Sequence, residues 1–160
     1  MRGTPASCLI IFDVKRVYTV SGYRIEIRPQ QHCGIVWLNG PNAIESLMQS
    51  TADVAAHPDW SADFDIIVAI GTDSDLNDVT LDKLVSYQKF ISEWSAQHRN
   101  LPPSQAAIVC ADELKRVIVE LWLAVNRMAT GVEDGIFLRV DDAIAALART
   151  GDGKGNKRLP

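Results

Sequence analysis

The chain changes its hydrophobic period twice, and those changes outline its elements. Near the start, "VYTVSGYRIEI" carries β-rich residues on both sides of Ser21-Gly22, a pair able to supply the backbone angles of a two-residue turn. This predicts a hairpin. "CGIVWL", Cys33 to Leu38, reads as the next strand, and the short connections make these opening strands antiparallel. From Asn42 to Ala56 the period becomes helical, with Asn39 or Asn42 as candidate cap and "HPDW" as the stop. "FDIIVAIG", Phe64 to Gly71, is a continuous apolar run of strand length, which points to a strand covered on both faces.

The alternation then continues. Thr80 to His98 repeats apolar residues three or four apart (Leu81, Leu84, Val85, Phe90, Ile91, Trp94) and predicts a helix. "LPPS" breaks the chain, and "AAIVCA", Ala106 to Ala111, is a short apolar strand. Asp112 opens a long helix to about Met128, "GIFLRV" (Gly135 to Val140) is a further strand, and Asp141 to Arg149 closes as a short helix. Strands that alternate with helices after a short antiparallel opening argue for an α/β fold. The sheet is then mixed: antiparallel at its N-terminal edge, otherwise largely parallel, and covered by about four helices. Each strand–helix–strand unit should cross over with the right hand. Residues 1–20 are expected to be an extension or an extra edge strand, with Cys8 to Val14 the candidate. Residues 21–149 form the domain, and 150–160 a flexible tail, since "TGDGKGNKRLP" offers only Leu159 for packing.

Composition narrows the function classes. The 160 residues are 47 % hydrophobic and 22 % charged, the mix of one globular domain. No stretch reaches the roughly 20 apolar residues of a membrane span, and "CLIIF" is too short for a signal-peptide core, so a cytoplasmic protein is expected. Cys8, Cys33 and Cys110 are odd in number, with no metal or redox spacing, and read as small buried hydrophobes. The net charge is −4, unevenly spread. Between Arg28 and Lys83 there is no lysine or arginine, while Glu45, Asp53, Asp59, Asp63, Asp65, Asp73, Asp75, Asp78 and Asp82 fall there. Such a surface repels phosphate, which sets aside nucleic acid and anionic membranes as partners.

Chemistry-bearing motifs are thin. "DSDLNDVTLDKL" begins like a calcium loop, with Asp73, Asp75 and Asn77 at its first, third and fifth places. The sixth place, which needs glycine for the sharp turn, is Asp78, and the twelfth, which needs a bidentate glutamate, is Leu84. His32, His57 and His98 lack zinc spacing. No phosphate-binding glycine loop and no nucleophile elbow is present. Cys110 precedes a helix N-terminus, where a thiolate is favoured, but it also completes the apolar run "AAIVC". Thr80 reads as a helix cap with Asp82 in the first turn, and Asp112 and Glu113 as a cap and a first-turn charge.

Several phrases together resemble the STAS domain family, in its SpoIIAA-like branch: the strand "YRIEI", then "CGIVWLNG" ending in glycine, "HPDWSADFDIIV", "QAAIVCADELKRVIVELW" and "IFLRVDDAIAAL". The resemblance covers about Tyr23 to Ala148. It implies a regulatory or interaction domain rather than an enzyme, and the motifs above give no expectation of a cofactor or a metal. Members of the family that switch partners do so by phosphorylating a serine in an Asp-Ser-Ser-Gly-Leu-like motif at a helix start. Here that region reads "LNDVTLDKL", without paired serine or glycine, so the switch is not carried over.

Two expectations follow. In a parallel sheet, partners meet the loops at the carboxyl ends of the strands, here Thr72–Val79 and Ala111–Glu113. Asp73, Ser74, Asp75, Asp78, Asp112 and Glu113 are the candidate contacts for a protein partner with a basic surface. The alternative comes from the branch's topological likeness to CRAL-TRIO lipid-transfer domains. "LKRVIVELWLAVNRM" is apolar around most of its circumference, so Leu114, Ile118, Leu121, Trp122 and Val125 are candidates for one wall of a pocket holding a lipid or other apolar ligand. Oligomeric state is left open, a homodimer included.

Overall fold

The computed structural model describes residues 18–20, 22–99, 106–130 and 135–154. Strands β1 (Tyr18–Val20) and β2 (Tyr23–Arg28) form the expected hairpin, and β3 (Cys33–Leu38) pairs antiparallel with β2. From there the order is α1 (Ala43–Ala56), β4 (Asp65–Ile70), α2 (Leu81–His98), β5 (Ala106–Val109), α3 (Glu113–Thr130), β6 (Gly135–Phe137) and α4 (Val140–Lys154). The strands lie in one six-stranded sheet in sequence order, with β3, β4, β5 and β6 mutually parallel. The mixed α/β architecture is therefore the one the hydrophobic pattern predicts.

Crossovers of one hand through strands laid down in order must place their helices on the same face. The packing agrees. Ile25, Val36, Leu38, Val68 and Ile108 from the sheet share one core with Leu47 of α1, Leu84 of α2 and Val119 of α3. The alternate residues Cys33, Ile35, Ile67, Ala69, Ala107 and Val109 face the other way and are covered by Ala143 and Leu147 of α4. β4 is thus sandwiched, which is why its sequence is apolar without alternation. The Tyr23 hydroxyl of β2 donates to Asp53 of α1 at 2.5 Å, and its pKa is pushed up to about 12, first by burial and then by that carboxylate.

The hairpin turn depends on Gly22. Its φ is +101°, and a Cβ there would lie 2.5 Å from the Ser46 hydroxyl. Asn42 stands at the N-cap of α1, as one of two candidates, but in a left-handed conformation (φ 60°) and with no side-chain capping bond. Only its carbonyl engages the helix, accepting from Ser46 N at 2.9 Å. Asn39 does not cap either. With its amide oriented so that the nitrogen faces these acceptors, it donates to Leu38 O at 2.9 Å and to Asp73 Oδ1 at 3.2 Å.

Tyr18–Val20 form the edge strand of the sheet, within the stretch expected to be an extension or an extra edge strand. The strand proposed for Cys8 to Val14 lies outside the described residues. α4 continues through Thr150, Gly151, Asp152 and Gly153 to Lys154, into the stretch expected to be a flexible tail. The stretch read as a tail because it offers little to pack, and each glycine costs a helix interior about 1 kcal/mol against alanine, yet the helix runs on. Residues 155–160 lie outside the described residues.

Candidate functional site

The loops that leave β3, β4 and β5 gather at one end of the sheet, and the acidic loop after β4 is their centre. It is built rather than loose. Gly71 N donates to Leu38 O at 2.9 Å, Gly40 N to Asp73 O at 3.2 Å, and Asp75 N to Gly40 O at 2.7 Å, so the loops after β3 and β4 form one bonded unit. Gly71 is required there, because a Cβ would sit 2.6 Å from Leu38 O, a backbone atom with nowhere to move. Ser74, expected at the partner surface, turns inward instead. It is 4 % exposed and its hydroxyl donates to Leu38 O at 2.7 Å. Leu76 is buried behind it.

Lysines staple this loop to its neighbours. Lys83 Nζ lies 2.8 Å from both Asp78 Oδ2 and Glu45 Oε1, joining α2 to the loop and to α1. Those hydrogen bonds raise the lysine's pKa, Asp78's first, and lower that of Glu45. From α3, Lys115 Nζ donates to Gly71 O at 3.2 Å and Thr72 O at 2.5 Å, with Asp112 Oδ2 at 3.5 Å. Asp112 caps α3 by accepting from Leu114 N at 2.9 Å and Lys115 N at 3.3 Å. The Lys115 backbone bond, foremost, holds its carboxyl below the ordinary carboxylate range. Thr80 caps α2 as expected, its hydroxyl accepting from Lys83 N at 3.3 Å.

Of the six polar candidates, Asp73, Asp75 and Glu113 therefore stand exposed, Asp78 and Asp112 are half-buried in structural pairings, and Ser74 is interior. The loop as a whole is less solvated than its composition predicts. Two additions complete the rim: Glu45 and Asp82, both exposed, at the first turns of α1 and α2. Seven carboxylates thus stand around Lys83, Lys115 and Arg116, and both lysines are already engaged within the rim. Glu45 lies far from the others in sequence, and only the first-turn position of an acid hinted at its place.

Cys110 is buried, its thiol donates to Asp112 O at 3.4 Å, and burial pushes its pKa up. The thiolate reading is set aside, because desolvation outweighs the helix terminus. Among the described residues, no group of three His, Cys, Asp or Glu stands close enough to hold a metal ion. No helix among them is long and apolar enough to cross a membrane.

The apolar candidates of α3 do not line a common wall. Trp122 points into the core, edge-on to Tyr87 with centroids 5.5 Å apart, and Ile118 and Val125 pack partly against the same core. Leu114 and Leu121 face outward, 88 % and 44 % exposed. An open apolar groove lies elsewhere, between α1 and α2. Met48, Ala52, Ala55, Phe90 and Trp94 line it, and His98 stacks on Trp94 at 5.1 Å. Its signal in the sequence was the alanine-rich end of α1 opposite two aromatics, small against large, which leaves space between two helices.

Comparison of the chain with protein-family models, with curated proteins and with solved structures finds no match.

Proposed function

We propose that the chain is a non-catalytic interaction domain of STAS-like type that engages a protein partner through the acidic rim. The observation that carries this reading is the contrast inside the rim. A rigid, internally bonded frame presents Asp73, Asp75, Asp82 and Glu113 to solvent, while the nearby lysines are held by other groups. Fixed carboxylates of one sign favour a basic protein surface and steer its approach. The mixed sheet with its antiparallel pair at the N-terminal edge supports the family resemblance. A serine switch is not part of the reading, since Ser74 is enclosed and Thr80 is committed to its helix. Asp73→Lys combined with Asp75→Lys tests it: a partner held by the wild-type chain at low salt is released by the variant and elutes from the wild type as salt rises. Equal retention by both proteins would sink the reading.

A second reading keeps the apolar ligand but moves it from α3 to the α1–α2 groove, whose lining favours a hydrocarbon chain. Fatty acyl probes should then shift Trp94 emission, and Ala52→Trp should block the shift by filling the groove. Probes that leave the emission of the wild-type chain unchanged would count against it.

A further inference from the structure

Six large hydrophobic side chains are exposed among the described residues, and five of them belong to α2 and α3: Leu81, Val85, Leu114, Val117 and Leu121. Contiguous apolar surface of this kind marks an interaction site. The placement follows from helix geometry. One side of α2 turns to α1, carrying Lys83 to Glu45 and Phe90 into the α1–α2 groove. Leu81 and Val85 are on its opposite side, toward α3. On α3, Val119, Trp122 and Leu123 are buried, and the outward face carries Leu114, Val117, Leu121 and the exposed Ala124. Their alternating three- and four-residue spacing is that of a coiled-coil seam. No core residue explains that spacing, because these are the positions the core does not use.

We infer that this seam pairs with the same seam of a second copy, antiparallel, about a twofold axis near Glu120. In that register Leu114 meets Ala124 of the second copy, and Val117 meets its Leu121. The flanking charges then close on themselves. Glu113 and Arg127, both exposed, stand two heptads apart at the two ends of the seam, on its side away from α2. Antiparallel pairing sets Glu113 of each copy beside Arg127 of the other, an isologous arrangement. A parallel pair would offer these charges only Ile118 and Val125, which pack against the core of their own chain. Glu120 meets its own copy at the axis and keeps the association weak. An anionic lipid surface does not fit a strip bordered by Asp82, Glu113 and Glu120.

Sedimentation of the full chain from micromolar to millimolar concentration tests the pairing. The wild type should pass from monomer to dimer. Leu121→Glu should hold it monomeric with its circular dichroism unchanged; should that variant unfold, Leu114→Glu, at the most exposed seam position, takes its place. Glu113→Arg alone and Arg127→Glu alone should each weaken the dimer about tenfold, roughly the effect of 1.4 kcal/mol. Mixing those two variants should restore it, because both cross-pairs become opposite in sign, and Glu120→Gln should tighten it. A chain that stays monomeric at every concentration overturns the inference, including when it binds phosphatidylcholine vesicles, the outcome for a lipid-facing strip. So does a dimer indifferent to Leu121→Glu, or single-charge variants that do not recover on mixing.

Discussion

The acidic rim and the outer face of α3 invert one another. The rim is among the most polar stretches of the chain, yet it holds an interior serine and a buried leucine, and its backbone is bonded to the loop before α1. The outer face of α3 is among the most apolar stretches, yet Leu114 is 88 % exposed. Side-chain polarity did not decide which region is covered. Position in the layer did. A loop pressed between β3 and α3 is enclosed whatever it contains, and the far side of a helix that already has a sheet beneath it is open whatever it contains.

The largest effect that sharpens this contrast is expected at Leu84. It is fully buried in α2, between the sheet and the helix layer. Leu84→Ala should cost about 2–5 kcal/mol, the range for a cavity left in a core that relaxes only partly. A urea melt read by tryptophan fluorescence would give the value. A cost below 1 kcal/mol would mean that the helix layer is loose and that its apolar residues are not held as described.

Ser74 comes next. Ser74→Ala removes a buried donor to Leu38 O, but that carbonyl still accepts from Gly71 N, so nothing is left wholly unpaired. The expected loss is about 1 kcal/mol, that of one neutral hydrogen bond. Asp73→Asn and Asp75→Asn, on exposed side chains a residue away, should each stay within about 0.5 kcal/mol. Should Ser74 and its neighbours instead behave alike in the same melts, the rim is solvated throughout and the contrast with α3 fails.

Thr80 separates a structural role from a switch. Thr80→Ala should cost about 0.5–1 kcal/mol, the lower part of the range for a lost cap, since its bond is long at 3.3 Å. Thr80→Asp should cost less, because aspartate also caps and its charge suits a helix N-terminus. A stable Thr80→Asp protein that exchanged its partner would show a switch at this helix start.

How much was legible follows from these same residues. The sheet was readable because β4 is apolar without alternation over strand length, as strands buried on both faces are, and because strands and helices alternate after the short antiparallel opening. The caps at Thr80 and Asp112 were readable because a cap is a local affair of three residues. Ser74 was not, since its partner, Leu38 O, is 36 residues away and belongs to another strand. The groove between α1 and α2 and the addition of Glu45 to the rim depend likewise on which helices become neighbours. For α3, periodicity located an apolar stripe correctly on Ile118, Trp122 and Val125, then merged it with a second stripe through Leu114 and Leu121. A helix apolar nearly all round does not reveal which stripe the sheet takes.

The smallest effect is therefore the most telling. Leu114 and Leu84 are the same residue type, both in the first turns of neighbouring helices. If exposure governs, Leu114→Ala measured in dilute solution should change stability by no more than about 0.5 kcal/mol, as for any surface site free of caps or pairs. Alanine's better helix propensity favours the change slightly, and little apolar area is lost from contact with the fold. In concentrated solution the same substitution should lower the apparent stability difference between dilute and concentrated samples, because a species that binds only the folded chain adds to its stability by mass action. Melts at two concentrations, for wild type and Leu114→Ala, separate the contributions. A loss above about 2 kcal/mol in dilute solution would place Leu114 in a core and remove the seam.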